Sequence, residues 1–260
     1  MNEENPLRPI NPSVPPQIPP ITTHPSRLPL GENPEERVPI TNAITAIDAI
    51  LRQPRRVMFQ LRQPGAGGLI IQMLLLAVVC SVIYGVVVAT FANDAQQYWR
   101  APVKIAGGML VSALICLPSL YIFTCLSGSQ SRLVEIAGLV IGLLLLTTIL
   151  LIGFAPVAWL FSQSTESIVW MGTLHLLFWG IATAFGLRFL DAGFSHSQAR
   201  TSAGFNTWVV IFVLVVLQMT TALRPILGTS DSFFPEKKKF FVTHWRDNLT
   251  APGDQWREQK

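Results

Sequence analysis

Charge is missing from long stretches of this chain. Windows 63–93, 105–131, 136–165, 167–187 and 201–223 hold about half of the residues, yet contain no Asp, Glu, Lys or Arg. Only 13% of the chain is charged and 50% is apolar, which excludes an ordinary soluble domain of this length. A hydrocarbon layer about 30 Å thick takes roughly 20 apolar residues in a helix, the fold that satisfies its own backbone hydrogen bonds. The expected fold is therefore all-α: a polytopic transmembrane bundle of five spans.

Catalytic and metal-binding patterns are also lacking. The four histidines, His24, His175, His196 and His244, stand far apart, and none has a second ligand at a helical spacing such as HExxH. Gly193-Phe194-Ser195-His196-Ser197 starts like a hydrolase elbow but has no closing glycine, and no phosphate-cradling loop is present. No enzyme activity, cofactor or metal is expected. Cysteine is scarce: Cys80, Cys116 and Cys125 all fall inside charge-free windows, where they act as small apolar residues and say nothing of the redox compartment. The opening MNEENPLRPI is acidic and proline-bearing, unlike a signal peptide, so insertion is expected to use the first span.

What is present divides the chain into four parts. Residues 1–40 hold eleven prolines and read as a disordered, polyproline-like tail, either a spacer or a docking strip. Residues 41–64 read as an amphipathic juxtamembrane helix capped at Thr41 or Asn42 and restarted at Pro54. There Val57, Met58 and Leu61 form an apolar stripe beside Arg52, Arg55, Arg56 and Arg62, a pattern suited to anionic headgroups. The competing reading packs this helix on the protein itself. Residues 65–225 form the five-helix domain. Residues 226–260 are a basic, aromatic tail in which Lys237, Lys238 and Lys239 sit among phenylalanines, as in segments that lie on a membrane surface. The net charge of +4 thus points to a lipid bilayer as partner and not to nucleic acid.

Within the spans, Ala77, Ser81, Gly85 and Ala89 recur every four residues, and Gly138 and Gly142 form a GxxxG. Small residues so spaced permit close approach of another helix, in the same chain or in a second copy. Pro118 and Pro156 should bend their helices. His175 and Gln218 are isolated polar residues in apolar windows and need hydrogen-bonding partners, as structural contacts or as a polar pathway. Four arginines before the first span favour a cytoplasmic N-terminus, although basic residues are otherwise balanced between the two sides.

The order of these features, with ILRQPRRVMFQLRQ ahead of the first span, a Leu-Ser-Gly turn after the second and Ala155-Pro156 late in the third, resembles the Ypt-interacting-protein (Yip) domain family, its bacterial members in particular. The likeness covers roughly residues 48–223. It implies a five-helix fold, a bacterial cytoplasmic membrane or a eukaryotic endomembrane, and a non-enzymatic role organising protein partners at that membrane. The basic C-terminal tail departs from that pattern. The alternative in a different class is a transport or channel subunit with a polar pathway near His175 and Gln218.

Overall fold

The computed structural model describes residues 29–91, 95–128, 131–164, 168–195 and 202–222, and their elements are helical. After a 3-10 turn at Pro34–Arg37 come α1 (Ala43–Arg52), α2 (Pro54–Leu61), α3 (Gly67–Ala89), α4 (Gln97–Leu126), α5 (Leu133–Ser164), α6 (Ile168–Ser195) and α7 (Ser202–Ala222). Among the described residues four segments are long and apolar enough to cross a membrane: Gly67–Ala89, Gln97–Leu126, Leu133–Ser164 and Trp170–Ser195. The chain is thus an all-α protein with the features of a multi-pass membrane protein. The fifth window also forms a helix, α7, whose apolar part Gly204–Met219 is shorter. Residues 1–28 and 223–260, which carry most of the proline-rich tail and the basic tail, lie outside the described residues.

Each window became one helix because an apolar backbone that leaves water must bond to itself. The third window is a single rod: α5 runs 32 residues without a break, about 48 Å at 1.5 Å per residue, and carries Pro156 inside it. Helix α4 starts at Gln97, ahead of the charge-free window that opens at residue 105, and so draws Gln97, Arg100 and Lys104 into the helix.

Helix α5 is the hub. It packs on α3 and α6, α3 packs on α4, and α4 packs on α7, while Phe194 of α6 meets Phe205 of α7 at 5.8 Å. An apolar cluster at one end joins Tyr84 and Val88 of α3, Leu151, Ala155 and Ala158 of α5, and Met171, Phe178 and Ala182 of α6. Antiparallel packing of α5 and α6 is fixed there by Phe154 and Phe178, whose rings stack at 4.8 Å. At the other end α1 and α2 enter the core: Ala46, Ala49, Ile50, Val57, Met58 and Leu61 are buried with residues of α3 to α7.

Glycine decides how closely these helices meet. A Cβ on Gly85 would collide with the backbone of Pro102, so α3 and α4 touch main chain to main chain there. The two glycines of the GxxxG receive different neighbours. Gly138 accepts Leu61 of α2 and Ile70 of α3, whereas Gly142 accepts Phe189 of α6 and Ile50 of α1. The motif therefore notches α5 for the juxtamembrane hairpin as much as for another span.

Candidate functional site

The α1–α2 hairpin and the segment before it make the most elaborate polar arrangement outside the spans. Asn42 caps α1, its backbone N–H donating to Thr45 Oγ1 at 3.0 Å, and Pro54 begins α2 where its missing N–H is not needed. The apolar face of α2, Val57, Met58 and Leu61, turns into the bundle. The headgroup-facing stripe proposed from periodicity is thus an internal packing face, with Leu61 seated against the notch at Gly138.

The opposite face of α2 holds residues 29–40 as a strap. Arg55 pairs with Glu36 at 2.6 Å and reaches Pro29 O at 3.3 Å. Arg56, itself buried, donates to Val38 O at 2.9 Å, to Pro39 O at 3.0 Å and to Gln53 Oε1 at 3.3 Å. Gln60 accepts the Ile40 N–H at 3.0 Å and donates to Val38 O. Its carboxamide thereby serves the two residues flanking Pro39, which has no N–H of its own. Gly31, at φ +91°, lies against the Phe59 ring, where any side chain would clash. Burial pushes the Glu36 carboxyl up, but the Arg55 hydrogen bond, the Gly31 N–H and the Arg55 charge outweigh it, and the group sits below its ordinary value.

The four arginines assigned to the membrane surface thus have different surroundings. Arg55 and Arg56 both bond to the strap, and Arg56 also to Gln53. Arg52 is exposed and pairs with Asp48 at 3.3 Å one turn back. Arg62 is half-buried and lines a water-sized cavity with Met58, Leu61, Ser131, Glu135, Leu139 and Gly193. Burial there lowers its pKa, partly offset by the charge of Glu135. Lys237, Lys238 and Lys239 lie outside the described residues.

Inside the spans, Ala77, Ser81, Gly85 and Ala89 are all buried, and Ser81 bonds to Ala77 O at 2.7 Å while lying 3.9 Å from Met109 Sδ of α4. His175 of α6 meets Tyr84 of α3, with Nδ1 2.7 Å from the phenol oxygen. His175 Nε2 is buried without a hydrogen-bond partner. Gln218 is half-buried on α7, which packs on α4. His175 thus lies where α6 meets α3, and Gln218 lies on the helix that packs on α4. Thr148 bonds to its own helix at Leu145 O, as threonine does in apolar surroundings.

Three buried residues escaped the sequence reading. Lys104 is 1% exposed, on the same inward face of α4 as Gln97 and Ala101, both at 0%. The spacing 97, 101, 104, 108 was visible, but charge at a window edge reads as a flank. Arg56 is one of four similar arginines in the sequence, and its bonds to the strap set it apart. Trp208 is fully buried and donates through Nε1 to Cys116 O at 2.9 Å. Its place inside an apolar window, away from an interface, was the available signal.

Among the described residues no three of His, Cys, Asp and Glu converge on one point. The hairpin and strap offer recognition by hydrogen bond and ion pair. Comparison with protein-family models, with curated proteins and with solved structures finds no match for this chain.

Proposed function

We propose that this chain is a non-enzymatic membrane scaffold that holds protein partners at a bilayer, similar in role to Yip-domain proteins. In this reading α7 is the fifth span, since its 21 residues reach about 32 Å. The N-terminus is cytoplasmic, the home is a bacterial cytoplasmic membrane, and the proline-rich and basic tails reach partners and lipid. The observation that carries the reading is where the polar groups are spent. Spanning helices meet through glycine, alanine and aliphatic side chains, and many of their hydroxyls bond to their own helix carbonyls. The richer polar surface belongs to the hairpin and strap.

Crosslinking in the native membrane followed by affinity recovery is the test. A scaffold yields discrete partners, and deleting residues 229–260 removes some of them while the helical domain still inserts. Recovery of the chain with no crosslinked protein sinks the reading.

A second reading, a transport or channel subunit, is favoured by the burial of Lys104 in α4 and by the sealed Nε2 of His175. It requires flux in proteoliposomes that falls when Lys104 or His175 is replaced.

A further inference from the structure

The strap is held in the way one protein holds an extended peptide of another. Val38 has φ −63° and ψ 124°, polyproline-like backbone that carries outward-pointing carbonyls and no internal hydrogen bonds. Arg56 and Gln60 read those carbonyls at residues 38 and 39, and Gln60 reads the next free N–H at residue 40. Proline between them loses nothing, because nothing on α2 asks for its N–H. Arg55 reads the carboxylate three residues earlier. Phe59 supplies the aromatic ring on which Gly31 lies. An aromatic side chain with hydrogen-bond donors aimed at the carbonyls of an extended proline segment is a recurring means of peptide recognition.

The strap also contributes little to the core. Of its apolar side chains, Ile40 is buried and Leu30 packs at the edge of the core, whereas Val38 is 49% exposed. The α1–α2 hairpin has its own anchors in Ile50, Val57, Met58 and Leu61, which face the other way. The hairpin can therefore stay docked when the strap leaves.

We propose that the strap-bearing face of α2, made by Arg55, Arg56, Phe59 and Gln60, is a docking surface for an extended Glu-x-x-Pro-Ile segment. Residues Glu36 to Ile40 are the chain's own occupant, and a partner protein presenting the same chemistry takes their place. The occupant in cis benefits from an effective concentration on the order of mM. A partner must exceed that, so the surface answers only to a segment delivered at high local concentration, as on a shared membrane. This inference names the partner class of the scaffold and rests on that reading.

The experiment uses the full chain in lipid nanodiscs and a fluorescent peptide with the sequence of residues 29–42. A variant carrying Glu36→Arg and Ile40→Asp releases the strap. The peptide is expected to bind this variant saturably and at least tenfold more tightly than the wild type. A peptide carrying Glu36→Arg should bind poorly, and should recover when the strap-released chain also carries Arg55→Glu. Equal binding to wild type and released variant, or no binding to a released variant that still elutes as a folded species, overturns the proposal. Should the released variant not fold, hydrogen exchange on the wild type decides. The Gly31 and Ile40 amides must exchange at least tenfold faster than the Met58 amide inside α2, and equal rates mean that the strap is a fixed part of the fold. The two readings fail separately: lost peptide exchange with partners still crosslinked removes only the α2 surface, while absence of any crosslinked partner removes the scaffold.

Discussion

The indole N–H of Trp208 on α7 donates to the carbonyl of Cys116 on α4 at 2.9 Å, two residues before Pro118. That carbonyl also accepts from Ser119 Oγ at 2.8 Å. The bond ties α7 to its neighbour α4. Phe205 and Phe212 stack on either side of the same indole, at 6.3 and 5.1 Å.

Trp208→Phe keeps most of the packing and removes the donor. It should lower stability by about 1 kcal/mol, and Trp208→Ala by about 3–5 kcal/mol through the cavity it leaves. Thermal unfolding in detergent measures both. Equal effects for the two variants would show that the hydrogen bond, and not the ring, anchors α7.

Glycine substitutions separate tight contacts from open faces. Gly85→Ala puts a methyl group into the Pro102 backbone, which cannot step aside, and should destabilise by about 1–3 kcal/mol. Gly142→Ala meets the far edge of the Phe189 ring at 2.6 Å, which can turn, and should cost less. A Cβ at Gly180 meets nothing within 4 Å, so Gly180→Ala should gain up to about 1 kcal/mol from helix propensity. Melting temperatures in one detergent should rank the three in that order.

Tyr84 and His175 join two helices that are separated by the hub helix. Removing the hydroxyl in Tyr84→Phe leaves His175 Nδ1 buried and unpaired. A double-mutant cycle with His175→Phe should give a coupling of about 0.6–2 kcal/mol, the range for interhelical hydrogen bonds in apolar surroundings. Additive single effects would mean that the pair is held by packing alone.

The strap should be sensitive to acid. The Glu36 carboxyl is depressed in the folded protein, so its ionised form stabilises the attached strap. That stabilisation is complete above the ordinary carboxyl value near 4.5 and is lost as pH falls below it through the folded value. Glu36→Gln should remove about 1.5–3 kcal/mol of strap attachment at neutral pH and abolish this acid step. Hydrogen exchange at the Gly31 amide, which donates to Glu36 Oε2, reports both effects. An unchanged acid step in the variant would assign it to another group.

The sequence by itself determined the helices. Hydrocarbon penalises an unpaired backbone group and an isolated charge alike, so windows 63–93, 136–165 and 201–223 could be read directly, and α3, α5 and α7 fall within them or a few residues beyond. Small residues at 77, 81, 85 and 89 also marked a buried face of α3 before any neighbour was known. Neither inference needs more than one helix at a time.

Tertiary structure alone decided what each face meets. An amphipathic stripe such as Val57, Met58 and Leu61 is equally satisfied by lipid and by protein. The choice was made some eighty residues away, where Gly138 and Gly142 cut pockets into α5 deep enough for Leu61 and Ile50. Once that face turned inward, Arg55 and Arg56 were left on the opposite side, beside a segment whose carbonyls could use their donors. The same holds for Lys104, which reads as a flanking charge until α4 begins at Gln97 and carries it inside. Such outcomes depend on which surfaces are complementary across the whole chain, and a one-dimensional pattern of apolar and charged residues does not record that.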